Sequence, residues 1–252
     1  MNKIALITGA TSGIGEATAI LLAQNGFDII ITGRRDQLLS KLKVRLESET
    51  KAKVLALNFD VRKLAEVHDA INSLDDKWKL IDVLVNNAGL AVGLSHIDTG
   101  VVDDWERMID TNIKGLLYVT REVSPLMVSR NSGHIINISS IAGKEEYENG
   151  NVYCATKHAV DSLSRAIRID LVQHKIKVTN IAPGMVDTEF SIVRFKGDKE
   201  RATKVYQGLT PLFANDIAEA ILFAVTRPEH VCINDMLIMS TAQAAATVVK
   251  RA

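Results

Sequence analysis

Residues 4–15 read IALITGATSGIG, a short apolar run followed at once by a turn that contains three glycines. The apolar run is rich in isoleucine and is bounded by the turn, which predicts a buried strand. A pattern of helical period begins at residue 14. A strand, a glycine-rich turn and a helix in this order place the pyrophosphate of a dinucleotide at the positive end of the helix. The segment therefore predicts an α/β fold with a dinucleotide site at its first crossover.

The rest of the 252-residue chain repeats this alternation of short apolar runs and helical segments. The predicted strands are Ile4–Thr8, Ile29–Thr32, Val54–Phe59, Val83–Asn86, His134–Ser139, Val178–Ala182 and Met236–Met239. The predicted helices lie at about 14–25, 36–49, 63–73, 102–129, 152–174 and 215–226, and Pro125 is expected to kink or shorten the fourth. This alternation indicates a seven-stranded, mainly parallel sheet with helices on both faces. We find no internal repeat or linker, so we predict one doubly wound α/β domain over residues 1–252.

Two segments near the C-terminal end depart from this rhythm. Residues 187–210 carry scattered charges around a few aromatic side chains and no clear strand. An insertion after the sixth strand is a natural substrate lid. The alanine-rich residues 242–252 are expected to dock beside the active site or on a partner subunit.

The composition excludes several classes of function. Thirty Lys and Arg balance thirty Asp and Glu, without a basic stripe, so we expect no nucleic-acid or membrane partner. No apolar run approaches the roughly 20 residues of a membrane span, and the first run is too short for a signal peptide. The two cysteines, Cys154 and Cys232, are far apart, and the six histidines show no metal-ligand spacing. We therefore expect a protein of the reducing cytoplasm that binds no metal.

The three glycines of the turn have separate expected tasks. Gly9 lets the chain turn, Gly13 lets the backbone approach the pyrophosphate, and Gly15 lets the helix pack on the strand. Thr11, Ser12 and Ile14 complete the expected cofactor-binding turn.

The end of the second predicted strand indicates which dinucleotide binds. An enzyme that prefers NAD places an acidic residue there to hold the ribose 2′-hydroxyl. This chain has Arg34 and Arg35, whose guanidinium groups match a 2′-phosphate through charge-assisted contacts. Asp36 is expected to cap the next helix, although it could compete for the ribose. The pattern favours NADP. Asp60, after the third strand, is placed to accept a hydrogen bond from the adenine amine or to cap a helix.

A second constellation lies in the C-terminal half. Tyr153 and Lys157 stand four residues apart in a predicted helix, so their side chains share one face. A phenol with a pKa of about 10 transfers protons poorly near neutrality, and a neighbouring ammonium group favours its ionised form. With Ser140 and the glycine turn, this pair predicts hydride chemistry on a nicotinamide.

The ordered set of motifs resembles the short-chain dehydrogenase/reductase superfamily over essentially the whole chain. The motifs are Thr8-Gly9-x-x-x-Gly13-x-Gly15, Asn86-Asn87-Ala88-Gly89, Asn112, Ser140 and Tyr153-x-x-x-Lys157. The resemblance implies a Rossmann domain. It also implies that Tyr153 is the general acid and base, that Ser140 binds the substrate oxygen, and that Lys157 lowers the pKa of Tyr153 and holds the nicotinamide ribose. Asn112 is then the helix asparagine of the proton relay, although it could instead satisfy a local helix kink.

The resemblance also implies further cofactor contacts. Of two adjacent serines, Ser140 is expected to face the nicotinamide and Ser139 to be structural. Asn86 and Asn87 are expected to lock neighbouring strand ends. The remaining implied contacts are Asp60, Val61, Asn87, Ala88 and Gly89 on the adenosine side, and Pro183, Gly184, Val186 and Thr188 at the nicotinamide.

The predicted lid resembles one branch of the superfamily, the NADP-dependent dehydrogenases of short 3-hydroxy acids such as serine and allo-threonine. Arg194 or Lys196 could pair with a substrate carboxylate, or both could be solvated lid charges. Two alternatives stay open: a reductase of a sugar, a diketone or a 3-oxoacyl thioester, and a non-catalytic NADP-binding regulator. The resemblance implies a homotetramer or a dimer.

Overall fold

The fold is that of a computed structural model, which describes residues 2–252. Its centre is a sheet of seven strands that are all parallel, in the order β3-β2-β1-β4-β5-β6-β9. These strands are β1 (Ile4–Ile7), β2 (Asp28–Gly33), β3 (Val54–Asn58), β4 (Ile81–Asn86), β5 (Gly133–Ile138), β6 (Ile176–Pro183) and β9 (Asp235–Ile238). A separate pair consists of β7 (Val186–Asp187) and β8 (Leu212–Phe213). The predicted seven-stranded α/β sheet is confirmed.

Helices cover both faces of the sheet. They are α1 (Gly13–Gln24), α2 (Asp36–Glu49), α3 (Leu64–Asn72), α4 (Val102–Ile109), α5 (Leu116–Val128), α6 (Asn151–Leu171), α7 (Phe190–Arg194), α8 (Lys199–Lys204) and α9 (Ala214–Val225). Two buried apolar clusters result, one on each face: Ile7, Ile29 and Ile31 point to one, and Leu6 and Ile30 to the other. Successive residues of one strand thus serve opposite cores, which explains why these strands are continuously apolar.

Two local predictions were wrong, and one pair of short strands was missed. The helix predicted at 102–129 is interrupted, but at a π-helical segment, Asp110–Gly115, rather than at Pro125, which lies within α5. Asp36 is the first residue of α2, and the N-cap position belongs to Arg35, whose side chain makes no capping bond. The short β7–β8 pair, which brackets the lid, was also missed, because two-residue strands carry no periodic signal.

The predicted lid contains the short helices α7 and α8. The C-terminal segment lies on the same chain beside it: the Gln243 side chain accepts a hydrogen bond from Met185 N, and Ala252 N donates to Gly208 O. These contacts join residues 242–252 to the loop after β6 and to the lid.

The strand order reverses between β1 and β4, and this creates a crevice at their carboxyl ends. Two asparagines, the last residue of β4 and the one after it, tie that edge together. Asn86 Nδ2 donates to Asn137 Oδ1 on β5 at 2.9 Å, and Asn87 Nδ2 donates to Thr8 O at 2.9 Å. Their predicted locking role is confirmed. Among residues 2–252, no helix has the length and apolar character needed to cross a membrane.

Candidate active site

The glycine turn at the start of α1 has the geometry that its sequence predicts. Gly9 and Gly13 have φ angles of +65° and +57°, which favour residues without a Cβ. A Cβ on Gly15 would lie 2.4 Å from Gly9 O and 2.5 Å from Asn87 Nδ2. The turn can therefore pack against the β4 edge only with glycine at position 15, which keeps the N-terminus of α1 open for an anion.

A groove of about 450 Å³ extends from this turn to α6. The predicted site residues that line it are Gly9, Thr11, Ser12, Gly13, Ile14, Arg34, Arg35, Asp60, Val61, Asn87, Ala88, Gly89, Ser140, Tyr153, Lys157, Pro183, Gly184, Val186 and Thr188. Four others do not line it: Gly15, Asn112, Arg194 and Lys196. The structure thus brings together residues from all along the chain.

The two arginines after β2 differ in their surroundings. The Arg35 guanidinium donates to Thr11 and to Ser12 Oγ, and it forms a 2.9 Å ion pair with Glu189. The Arg34 side chain is 58% exposed, and its nearest acid, Asp60, is 3.9 Å away. Arg34 is therefore the freer of the two cations at this end of the groove.

Asp60 is held by a neighbour. Its carboxylate accepts several bonds from the Arg62 guanidinium, the shortest 2.6 Å long. Burial alone would raise the pKa of Asp60, but the bonds from Arg62 outweigh it and hold that pKa below its usual value. Asp60 does not cap α3, whose N-cap position is Lys63.

Tyr153, Lys157 and Ser140 meet at the far end of the groove. Tyr153 and Lys157 are buried on α6, and the Lys157 Nζ lies 5.9 Å from the centre of the Tyr153 ring and donates to Ile138 O at 3.0 Å. Ser140 precedes a short 3₁₀ turn, and its hydroxyl lies beside the Tyr153 phenol. Ser139 points elsewhere, toward Ile181 O. The predicted triad is therefore assembled in space.

Burial is the largest influence on the pKa values of Tyr153 and Lys157. It raises the pKa of the Tyr153 phenol, with a further rise from Tyr147, while Arg194 and the hydrogen bond of Ser140 act in the opposite direction. Burial lowers the pKa of Lys157 to about 8. The cation that counteracts the effect of burial on the pKa of Tyr153 is Arg194, whereas the sequence predicts Lys157 for this task.

Asn112 lies in the π-helical segment behind the triad. Its Oδ1 accepts from Leu90 N and its Nδ2 donates to Leu90 O, both at 2.8 Å, and Nδ2 also bonds Thr156 on α6. A Cβ on Gly89 would lie 3.3 Å from Asn112 Oδ1 and 3.5 Å from Lys157 Nζ. Asn112 thus joins the loop after β4 to α6 rather than satisfying its own helix, and it lies on the same side of Gly89 as Lys157 Nζ.

The loop after β6 lies opposite the glycine turn. Gly184 N donates to Ile238 O, and a Cβ on Gly13 would lie 3.2 Å from the Thr188 side chain. Thr188 therefore packs close to the glycine turn, and both line the groove.

The two candidate carboxylate-binding residues have different partners. Lys196 forms a 2.8 Å ion pair with Asp104, whose side chain is almost fully buried. The Arg194 guanidinium lies over the Tyr153 ring, 5.2 Å from its centre, and no acid of residues 2–252 lies within ion-pair distance. Of these two cations, Arg194 is therefore the one that has no acidic partner in the described part of the chain, and it lies next to Tyr153.

Sequence reasoning missed several residues of the site. Phe190 packs on Tyr153 with ring centres 5.7 Å apart, Glu189 binds Arg35, and the Tyr147 hydroxyl accepts a hydrogen bond from Arg194. All three act through long-range contacts that leave no periodic or motif signal. Among residues 2–252, no three His, Cys, Asp or Glu side chains are grouped as for a metal ion.

The fold and the groove define a Rossmann-type dinucleotide-binding protein with a Ser–Tyr–Lys site. Residues 3–199 match the short chain dehydrogenase family, and the chain belongs to that family. It is 50% identical over 241 residues to the NADP-dependent 3-hydroxy acid dehydrogenase of Salmonella typhi, covering 95% of this chain and 96% of that one. It is 43% identical over 251 residues to the NADP-dependent 3-hydroxy acid dehydrogenase of Schizosaccharomyces pombe, covering 99% and 97%. A solved structure, the closed form of serine dehydrogenase complexed with NADP⁺, superposes with a TM-score of 0.93 at 46% identity and covers 99% of both chains.

Proposed function

We propose that this protein is an NADP-dependent oxidoreductase that acts on the hydroxyl group of a short 3-hydroxy acid, of the serine, allo-threonine or 3-hydroxypropionate type. The observation that carries the proposal is Arg194, a half-buried cation over the Tyr153 ring without an acidic partner in residues 2–252. A buried charge is stable only when it is paired, so this position suits an anionic group of the substrate. The names of the relatives above agree with this substrate class.

The residues of the chain have distinct tasks in this reaction. Tyr153 takes the proton of the substrate hydroxyl in oxidation and returns it in reduction. Ser140 donates to the same oxygen, where negative charge develops, so it stabilises the transition state more than the ground state. Lys157 holds the nicotinamide ribose and favours the ionised phenol, and Asn112 keeps the proton relay at Lys157 in place. Arg194 orients the substrate through its carboxylate.

The groove fits a dinucleotide. Gly9, Gly13 and Gly15 leave the backbone open at the N-terminus of α1, where a pyrophosphate binds. Arg34 and Arg35 with Ser12 would hold the 2′-phosphate, while Val186 and Thr188 would contact the nicotinamide carboxamide. When bound, NADP⁺ accepts the hydride of the carbinol carbon.

The role of Arg34 leads to a prediction about the cofactor. Arg34→Gln should raise the Kd of NADP⁺ about 10- to 100-fold, the value of a hydrogen bond to a charged group, and should leave the Kd of NAD⁺ nearly unchanged. Titration calorimetry with both nucleotides measures this. Arg45→Gln, on the exposed face of α2, is the matched control. Equal weakening of both nucleotides would show that Arg34 does not read the 2′-phosphate.

The role of Arg194 leads to a prediction about the substrate. Arg194→Met should raise the KM for 3-hydroxypropionate about 10- to 100-fold and should have little effect on its uncharged isostere, 3-hydroxypropanamide. Steady-state kinetics with both substrates check this, with Arg201→Met as the control lid arginine, since Arg201 stacks on Phe195. Lys196→Met separates the two candidates. If the KM for 3-hydroxypropionate rises selectively in Lys196→Met and not in Arg194→Met, the carboxylate is bound by Lys196.

The proposal also includes the oligomeric state of the protein. Ile169 and Val172, near the end of α6, are 73% and 58% exposed, and large apolar side chains at such positions suit a subunit interface. We infer a homotetramer, or a dimer, that uses this helix. Sedimentation of Ile169→Lys, against wild type, tests the interface.

The proposed location is the cytoplasm. Cys154 and Cys232 are free thiols, as expected of a cytoplasmic protein.

A further inference from the structure

Tyr147 lies between the Ser140 turn and α6, in a segment that has no assigned task in the reaction. Its ring lies beneath the Arg194 guanidinium, with the Cζ atom of Arg194 5.4 Å from the ring centre. Its hydroxyl accepts a hydrogen bond from Nη2 of the same guanidinium. Arg194 is thus flanked by two tyrosine rings, since Tyr153 lies 5.2 Å from the same atom.

The Tyr147 ring packs against the backbone and is not on a free loop. A Cβ on Gly150 would lie 2.2 Å from that ring, so the ring packs directly against the backbone at the start of α6. Gly150 N also donates to Tyr147 O at 3.0 Å, which closes a turn around the side chain. Because α6 also carries Tyr153, the positions of the two tyrosines are fixed to the same element.

The segment that carries Tyr147 is anchored on both sides. Lys144 Nζ binds Asp161 of α6 at 2.6 Å and Asp235 of β9 at 2.8 Å. The next residue, Glu145, accepts a 2.8 Å bond from Ala246 N of the C-terminal segment. These contacts join the Tyr147 segment to the edge of the sheet, so its ring is a fixed support under a residue of the lid.

Arg194 itself has few other restraints on its charged group. Its side chain makes no hydrogen bond to residues 2–252 other than the one to Tyr147, although its backbone oxygen accepts from Gly93 N. Arginine has a long side chain with many rotamers, so binding loses less conformational entropy when a partner already holds the guanidinium in one orientation.

We infer that Tyr147 is a positioning residue that holds the Arg194 guanidinium over the Tyr153 ring and thereby sets the preference of the enzyme for substrates with a carboxylate. The inference rests on the proposed function, in which Arg194 binds that carboxylate. The planar guanidinium donates one Nη to the Tyr147 hydroxyl and keeps its remaining outer donors for two carboxylate oxygens. Tyr147 needs no contact with the substrate.

The test compares two isosteric substrates in a double-mutant cycle. Wild type, Tyr147→Phe, Arg194→Met and the double variant are assayed with NADP⁺ on 3-hydroxypropionate and on 3-hydroxypropanamide. Tyr147→Phe keeps the ring and removes only the hydroxyl. Tyr118→Phe makes the same change in α5 and is the matched control. We expect Tyr147→Phe to lower the ratio of kcat/KM for the acid over the amide about tenfold, mainly through KM. In the Arg194→Met background the same change should lower this ratio no further.

The outcomes separate the inference from the function on which it rests. If Arg194→Met leaves the acid-to-amide ratio unchanged, the proposed carboxylate site is wrong. If Arg194→Met lowers the ratio but Tyr147→Phe does not, the carboxylate site stands and the inference about Tyr147 is overturned. Equal losses on both substrates, or a full additional loss in the double variant, would also overturn it, because a purely structural role predicts these results.

Discussion

Replacing Tyr153 with phenylalanine should lower kcat about 10³-fold, within the range for loss of a general acid and base. Phenylalanine keeps the ring that packs on Phe190 and under Arg194, so the walls of the groove stay in place. Only the proton-transfer group is removed. Single-turnover reduction of NADP⁺ with 3-hydroxypropionate measures the loss.

Nucleotide affinity is the internal control for this variant. Calorimetry should give nearly the same Kd for NADP⁺ in wild type and Tyr153→Phe, because the glycine turn and the arginines are untouched. Turnover within a few-fold of wild type would exclude Tyr153 as the acid–base group. A parallel collapse of affinity and turnover would instead indicate a damaged fold.

Replacing Lys157 with methionine should have two opposite effects. Turnover should fall about 10²-fold or more, since a cation that stabilises developing charge is lost. The nucleotide-free protein should nevertheless become more stable by about 2 kcal/mol near pH 7, because wild type must keep a buried ammonium whose only hydrogen bond to residues 2–252 is the one that it donates to Ile138 O. A functional site is a common place for such a cost.

The low pKa of Lys157 also predicts how the stability difference between wild type and Lys157→Met changes with pH. The pKa of Lys157 is about 8 in the folded protein and 10.5 is its ordinary value, so between these limits the unfolded chain binds the extra proton. Wild-type stability should therefore rise with pH across this window, relative to Lys157→Met, and the difference should close toward pH 10.5. Urea unfolding of both proteins from pH 6 to 10 measures it. A variant that is less stable than wild type at pH 7 would contradict the assigned burial cost.

The fold was largely predictable because its strands are buried on both faces. Ile29 and Ile31 serve one core and Ile30 the other, so every position of the run is apolar and the pattern stands out. The glycine turn was equally clear, since its demands are local: positive φ angles and a close approach at Gly15.

What the sequence did not reveal depends on long-range contacts. No sequence feature close to Arg35 indicates its ion pair with Glu189, which lies 154 positions away along the chain. The sequence does not distinguish Arg194 from Lys196 as a candidate for carboxylate binding. Only the fold places Asp104 beside Lys196 and the two tyrosines beside Arg194. The π-helical segment Asp110–Gly115 was not predicted, because such a segment has no simple residue signature.

The central claim is that the site oxidises 3-hydroxy acids with NADP⁺ and recognises their carboxylate through Arg194. The most direct measurement is the initial rate of NADP⁺ and NAD⁺ reduction by wild type and Arg194→Met, with 3-hydroxypropionate, L-serine, L-allo-threonine and 3-hydroxypropanamide as substrates. We expect wild type to turn over at least one acid far better than the amide, with NADP⁺ preferred, and Arg194→Met to lose that preference. Turnover of the amide as fast as the acids, or no turnover of any acid by a protein that binds NADP⁺ tightly, would contradict the claim.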